Sequence, residues 1–237
     1  MKKKLVVLTG AGISAESGVR TFRDMDGLWE DHDIMEVASY KGWLKNKDLV
    51  LDFYNKRRNQ LAKVKPNYGH IGLVELEELF DVTIITQNVD DLHERAGSKN
   101  ILHLHGELTK ARSIKDRNLI YDIGYREIHE GDLCELGSQL RPHIVWFGER
   151  VREIDQAIKI VSEADIFVVI GTSMQVYPAA GLLADTKKDV LIYFIDPNAK
   201  KMFHRSNIAL ISENASTGIK KLKDLLMNYK CALFQRT

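Results

Sequence analysis

The stretch Leu5 to Asp24, LVVLTGAGISAESGVRTFRD, constrains this chain more than any other. Leu5 to Thr9 is an unbroken apolar run, the pattern of a strand covered on both faces of a parallel sheet. Gly10 and Gly12 follow at once, where the backbone must bend tightly and approach a phosphate closely. Ser14, Ala15 and Glu16 then read as the first turn of a helix whose free amides attract an anion. Gly10-x-Gly12-x-x-Ala15 is the glycine fingerprint of a dinucleotide fold, with alanine in its last position. An ordinary dehydrogenase places a second strand and a ribose-binding acid about 20 residues further on. Here the mixed loop Thr21 to Trp29 follows instead, and the next strong strand is Asp81 to Thr86. The first crossover therefore holds an insertion, which weakens a hydride-transfer reading.

Further apolar runs repeat the strand signal. Ile101 to Gly106, His143 to Gly148, Asp165 to Gly171, Asp189 to Ile195 and Asn207 to Ile211 alternate with helical patterns, among them Asn67 to Phe80, Asp155 to Glu163 and Thr217 to Tyr229. About six parallel strands with helices between them predict an α/β, Rossmann-like parallel sheet with helices on both faces. Gln87, Asn88 and Asp90 stand at the carboxyl end of the second strand, where open α/β sheets bind ligands; a capped helix start at Asp91 is compatible with that. Gly171, Thr172 and Ser173 follow another strand like a second phosphate or ribose turn, and Pro178 opens the next helix. Asp31 to Lys65 reads as helical, with loops near Gly42 and Asn46 and Asp48 as a cap. Val50, Phe53, Tyr54 and Leu61 fall on one side, with Arg57 near the centre of that stripe and Arg58 nearer its edge. A cation on an apolar face needs a partner. His103 and His105 alternate with apolar residues in a short strand, which by itself suits a metal pair or a packed pair as well as a base.

Five stretches in one order carry a resemblance to a known family. GAGISAESGVRTFRD, TQNVDDLHERAG, HLHGE, RPHIVWFGE and GTSMQVYPAAG are similar to the signatures of the sirtuins, the NAD-dependent protein deacylases, and the likeness runs from Leu5 to about Ala215. The resemblance implies one catalytic unit over 1–237, with a large Rossmann-like domain from about 1–24, 66–107 and 143–237 and a smaller one from insertions at about 25–65 and 108–142. It implies NAD contacts from Gly10, Ala11, Gly12, Ile13, Glu16, Phe22, Arg23, Gln87, Asn88, Asp90, Gly171, Thr172, Ser173, Asp196 and Ala215. An asparagine common in the family is replaced near Phe194. His105 matches the catalytic base, assisted by Asn88 and Asp90, and an imidazole suits proton transfer at neutral pH. Val145, Trp146, Phe147 and Gly148, with Val176 and Tyr177, are expected along the peptide cleft and acyl channel, although a plain buried strand explains the first four equally well. FYNKR resembles the Tyr-x-x-Arg motif of members that remove succinyl and malonyl groups, making Tyr54 and Arg57 candidate carboxylate ligands, and Ala15 fits the same subgroup. NAD would be consumed, an acyl-lysine oxygen attacking its anomeric carbon to give free lysine, nicotinamide and O-acyl-ADP-ribose. A plain deacetylase, a protein ADP-ribosyltransferase and a non-catalytic NAD or ADP-ribose binding module are the alternatives.

Composition narrows the partners. With 34 basic and 33 acidic residues the net charge of +1 provides no field for nucleic acid or membrane, and no run is apolar enough for a span. The expectation is a cytoplasmic protein, monomeric, acting on acylated lysines of proteins or peptides. Sirtuins commonly hold a structural zinc with four cysteines, here in the segment Lys110 to Arg141, yet Ser113 stands at the first position and Cys134 is the one cysteine in that segment. No zinc is expected. Leu119, Ile120, Tyr121, Ile123, Tyr125, Ile128 and Leu133 are the residues expected to replace it by packing.

Overall fold

The structure is a computed structural model that describes residues 2–19, 28–29, 32–199 and 207–234, with side chains at 28–29 and 228–234 left aside. In chain order the strands are β1 (Lys4–Thr9), β2 (Leu28–Trp29), β3 (His32–Asp33), β4 (Asp81–Thr86), β5 (Ile101–His103), β6 (Gly106–Ser113), β7 (Ile120–Asp122), β8 (Leu140–Ile144), β9 (Ile166–Ile170), β10 (Leu191–Ile195) and β11 (Ile208–Ile211). The helices are α1 (Ile34–Val37), α2 (Tyr40–Lys45), α3 (Lys47–Leu61), α4 (Tyr68–Leu76), α5 (Leu92–Ala96), α6 (Ile154–Ser162) and α7 (Ala215–Phe234).

Six strands form one parallel sheet in the order β11-β10-β9-β1-β4-β5. The chain winds outward from β1 to one edge, returns, and winds outward from β9 to the other, the doubly wound Rossmann order. Alternation along β1 explains both layers: Leu5 and Val7 point into a core shared with α4 and α7, while Val6 and Leu8 point into one shared with α6 and the 3-10 segment Ala179–Asp185. The point where the winding reverses lies between β1 and β9, and ligands of open α/β sheets bind outside the strand ends there.

A third core holds α3, Trp43, Leu108, Ile144 and Trp146 together against the antiparallel sheet β7-β6-β8. Ile123 and Ile128 are buried there and Tyr121 and Tyr125 pack beside them, but Ile120 and Leu133 are exposed, which corrects the expectation for those two. Ser113 is fully buried, and its hydroxyl lies 3.4 Å from the Cys134 thiol and 3.4 Å from the Ser138 hydroxyl while receiving the Lys115 and Asp116 amides. One thiol among hydroxyls does not fit structural zinc, which takes four thiolate or imidazole ligands.

Several local expectations change. Two 3-10 turns, Ala11–Ile13 and Ala15–Ser17, replace the anticipated helix after the glycines, because Gly18 takes a left-handed conformation and ends the second. Asn46, not Asp48, caps α3 by accepting the Leu49 amide. Gly42 lies inside α2, not in a loop. Strand β8 stops at Ile144; Val145 N–H still donates to His105 O at 2.9 Å, and the chain then passes to a parallel bridge between Phe147 and Ser39, with Phe147 N–H donating to Ala38 O at 2.9 Å. Among the described residues no helix is long and apolar enough to cross a membrane.

Candidate active site

A cavity of about 1050 Å³ opens at the switch point. It reaches the upper limit of small-molecule sites, room enough for a dinucleotide together with an extended side chain. Its floor is the interlock of two loops. Gly12 N–H donates to Gly171 O at 2.8 Å, and Gly171 N–H to Ile195 O at 3.0 Å. A Cβ on Gly12 would sit 2.6 Å from the Gly171 backbone, and one on Gly171 would sit 2.4 Å from the Ile13 nitrogen, at a φ of +61° that favours glycine in any case. The first crossover and the one after β9 therefore meet backbone to backbone under the space where a phosphate would lie.

The end of β4 supplies the polar wall. Asn88 donates from its amide to Gly10 O and to the Ser14 hydroxyl, both at 3.2 Å, and its backbone N–H reaches Thr86 Oγ1 at 3.0 Å. Asp90 accepts from the Ser14 hydroxyl at 2.9 Å and the Leu92 amide at 3.2 Å. Burial raises its pKa, and those two hydrogen bonds pull in the opposite direction. Gln87 donates to Thr172 Oγ1 at 3.1 Å, tying β4 to the turn after β9.

His105 Nδ1 lies 2.8 Å from Gln87 O. A carbonyl only accepts, so Nδ1 carries the proton and Nε2 holds the lone pair. Burial lowers its pKa against the opposing pull of the Gln87 carbonyl, which keeps the ring neutral and able to take a proton. His103 is placed differently, between Asn88 O at 3.1 Å and the Glu94 carboxylate at 2.7 Å. Burial works against charge on that ring, but Glu94 outweighs it and the net shift is upward. The two histidines of ILHLHG thus separate into one neutral ring lining the main cavity and one paired beside it.

The opposite wall is aromatic and cationic. Tyr54 and Arg57 on α3 stand in the wall of the cavity, Tyr54 fully buried; Trp146 Nε1 donates to the Tyr54 hydroxyl at 3.0 Å and the Arg57 guanidinium lies 5.9 Å from the Phe53 ring. Burial pushes the Tyr54 pKa up to about 12. Arg58, expected nearer the edge of the stripe, is the more deeply buried arginine, fully enclosed against Arg57's 9% exposure, with donations to Leu108 O and Asn55 Oδ1. Its pKa falls to about 10 through burial. Behind Trp146, Glu149 bridges Arg141 at 2.8 Å and Arg112 at 3.1 Å, and receives the Trp146 amide at 2.9 Å. Sequence reasoning gives no role to Arg112, Arg141 and Glu149; the signal present is Arg141 and Glu149 at the two ends of RPHIVWFGE, with none for Arg112.

Of the anticipated residues, Gly10, Ala11, Gly12, Glu16, Gln87, Asn88, Asp90, His105, Gly171, Thr172, Ser173, Asp196 and Ala215 share this one cavity with Tyr54, Arg57, Val145, Trp146, Phe147, Gly148, Val176 and Tyr177. Ile13 does not, since its side chain is fully buried in the core beneath β1. Phe194 likewise faces a core. Phe22 and Arg23 lie outside the described residues.

A doubly wound sheet whose switch point carries a glycine loop, a carboxylate and a neutral imidazole defines a dinucleotide-binding α/β protein. The chain belongs to the Sir2 family, which it matches over residues 10–178. It is 58% identical over 224 residues to an NAD-dependent protein deacylase of Helicobacter pylori, covering 94% of this chain and 96% of that protein. A second NAD-dependent protein deacylase, from Bacteroides thetaiotaomicron, is 52% identical over 233 residues, with 95% and 98% covered. Among solved structures, a Sir2 homologue in complex with NAD superposes with a TM-score of 0.83 at 36% identity, covering 96% of this chain and 91% of that one. A Sir2 protein bound to acetylated peptide gives 0.75 at 25% identity, with 94% and 93% covered.

Proposed function

We propose that this protein is an NAD-dependent protein-lysine deacylase that prefers acyl groups ending in a carboxylate, succinyl and malonyl before acetyl. The deacylase reading is supported by membership of the Sir2 family and by relatives that carry that activity in their names. NAD fits the residues present: the glycine floor leaves backbone where a pyrophosphate would approach, and Asn88 and Asp90 offer amide and carboxyl groups to a carboxamide and a ribose. Bound there, NAD supplies an anomeric carbon with a cationic leaving group. Asn88, Asp90 and Gln87 orient the nicotinamide end; Gly10, Ala11, Gly12, Glu16, Gly171, Thr172, Ser173, Asp196 and Ala215 hold the remainder. His105 takes a proton at Nε2 from a ribose hydroxyl. The peptide lies along Val145, Phe147, Gly148, Val176 and Tyr177, in the cleft between a large domain from about 1–24, 66–107 and 143–237 and a small one from about 25–65 and 108–142.

The observation that carries the acyl preference is the meeting of a buried phenol and an arginine, Tyr54 and Arg57, in the cavity that also holds His105. A carboxylate entering a mostly apolar channel needs compensation. A planar guanidinium supplies two hydrogen bonds and a phenol a third. A panel of acetyl, malonyl and succinyl peptides of one sequence, assayed for nicotinamide release with NAD present, tests it: the acidic acyl peptides should give the higher kcat/KM, and an equal or greater value for acetyl would leave a plain deacetylase.

A further inference from the structure

We infer that His103 is a positioning residue for the nicotinamide end of the site: held by Glu94, it donates its Nδ1 proton to the Asn88 carbonyl and so fixes the backbone that carries the Asn88 amide and the Asp90 carboxylate. The inference rests on the NAD-binding role proposed above for those two residues, and not on the acyl preference. Strands β4 and β5 pair as far as Thr86 with His103, and one more main-chain rung runs from Leu104 N–H to Thr86 O at 2.9 Å. Residues 87–89 then leave the sheet, yet each of their carbonyls is taken by the segment 103–108. His105 Nδ1 lies 2.8 Å from Gln87 O, His103 Nδ1 3.1 Å from Asn88 O, and the Leu108 nitrogen 2.7 Å from Val89 O. Two imidazoles thus continue the ladder where the strand pairing has stopped. On that footing the Asn88 amide reaches Gly10 O and the Asp90 carboxylate reaches the Ser14 hydroxyl.

The two rings differ in what they must give. His105 meets a carbonyl at one nitrogen, whereas His103 meets two groups that only accept, the Asn88 carbonyl and, 2.7 Å from Nε2, the Glu94 carboxylate. Both are satisfied only when the ring carries both protons. The surroundings favour that charged form. Glu94 on α5, Asp90 and Asp91 just before it, Glu107 on β6 and Asp122 on β7 line one small recess with the ring, where Lys110 on β6 is the opposing cation. His93 on α5 is fully buried and held neutral by that burial. Burial resists charge on His103 as well, but Glu94 outweighs it and leaves the pKa above the ordinary histidine value. The charge has a use. Burial pushes the Asp90 pKa up, and the cationic ring joins the Ser14 and Leu92 hydrogen bonds in favouring its ionised form. Since the His103 pKa is raised, the doubly donating ring is present below that pKa and is lost as pH rises through it. The one proton then left goes to the charge-assisted bond with Glu94, and the Asn88 carbonyl is released.

The test follows nicotinamide release against pH, at varied NAD and at varied acyl peptide, for the wild type, His103→Ala and Glu94→Gln. A chelator is present, because Glu94, His103 and Glu107 also bring metal-ligating atoms within 4.8 Å of one another. In the wild type, kcat/KM for NAD should fall as pH rises through the His103 pKa, the loss residing in KM for NAD while KM for the peptide stays. His103→Ala should raise KM for NAD about threefold to tenfold at neutral pH, the loss expected for one hydrogen bond, and show no basic limb. Glu94→Gln offers an amide N–H to Nε2, which lets a neutral ring keep its Nδ1 proton on the Asn88 carbonyl. That variant should carry kcat/KM for NAD to higher pH than the wild type does. The acid limb belongs to His105, whose pKa burial lowers, and should be common to all three. A KM for NAD that His103→Ala leaves unchanged, a rise shared equally by the peptide, or a basic limb that survives in both variants overturns the inference while the wild type still releases nicotinamide. Should His103→Ala fail to fold, Glu94→Gln decides, at a side chain 40% exposed: a basic limb left where the wild type has it overturns the inference. A wild type that releases no nicotinamide from NAD overturns the deacylase reading first, and the inference falls with it.

Discussion

The two walls of the cavity are built in opposite ways. Along the strand ends, His105 is set by Gln87 O, 18 residues away, while Asn88 and Asp90 reach back to Gly10 O and the Ser14 hydroxyl in the turn after β1 and Gln87 reaches Thr172 in the turn after β9. Across from them, the aromatic wall joins Trp146 to Tyr54 over 92 residues of chain and stands on Glu149, Arg141 and Arg112. The first wall inherits its geometry from the parallel sheet. The second exists only when α3 and β8 have packed, so it can vary without disturbing the first. Proton transfer and acyl choice are expected to respond to separate substitutions.

The strongest way to break that contrast is His105→Ala. It should leave a folded protein that binds NAD in calorimetry while nicotinamide-coupled turnover falls about 10² to 10⁴-fold, the usual cost of losing a general base. Near-normal turnover in a clean preparation would remove His105 from the strand-end machinery. Next, Glu149→Gln strikes the footing of the aromatic wall. Burial alone would raise the Glu149 pKa, but Arg141 and Arg112 hold it low, and neutralising the acid leaves two enclosed guanidiniums without their counter-charge. Urea denaturation should show a loss of about 3–5 kcal/mol. A loss under about 1 kcal/mol, the range of exposed ion pairs, would mean that water reaches the cluster.

A smaller effect sharpens the division of labour. Tyr54→Phe combined with Arg57→Met should lower the succinyl-to-acetyl ratio of kcat/KM about tenfold or more, because hydrogen bonds to a charged partner are worth about 1.5–3 kcal/mol. If both activities fall in proportion, the pair holds the wall and not the acyl group. The smallest effect is none at all. Prolonged chelation should leave melting temperature and turnover where they were, since Ser113, Cys134 and Ser138 satisfy one another by hydrogen bonds. One zinc per chain by elemental analysis, with a lower melting temperature after its removal, would contradict this.

The same contrast explains what the sequence makes legible and what it does not. Leu5–Thr9, Asp81–Thr86 and Asp165–Gly171 announce buried parallel strands because both faces of each are covered, and the glycines announce the turn between β1 and the cavity. The sheet order does not follow from such runs, since every one of them suits every interior place. The ranking of Arg57 over Arg58 by depth fails because a helical stripe says nothing about which arginine meets the Asn55 side chain and the Leu108 carbonyl. The strand ending at Ile144 reads as longer in sequence because apolar residues continue through Phe147; Val145 N–H still meets His105 O, but Phe147 then pairs with Ser39, its N–H donating to Ala38 O, and no longer with β6. Ile13 sits beside three cavity residues in sequence yet points into the core, a matter of one backbone step. Arg141 and Glu149 open and close the stretch RPHIVWFGE, 8 residues apart, but nothing in that stretch points to Arg112, which lies 37 residues from Glu149 along the chain.

The backbone interlock of Gly12 with Gly171 has a consequence for anyone who redesigns this protein. Neither glycine has a tolerated neighbour in sequence space while the other loop stays put, because the obstacle each would meet is main chain, which no rotamer change can move. The loops after β1 and β9 therefore form one hereditary unit, though they lie far apart along the chain. A graft meant to alter co-substrate choice must transplant both loops together, and shuffling with a crossover between them will yield working chimeras only when the two parents already share the same pair of backbones.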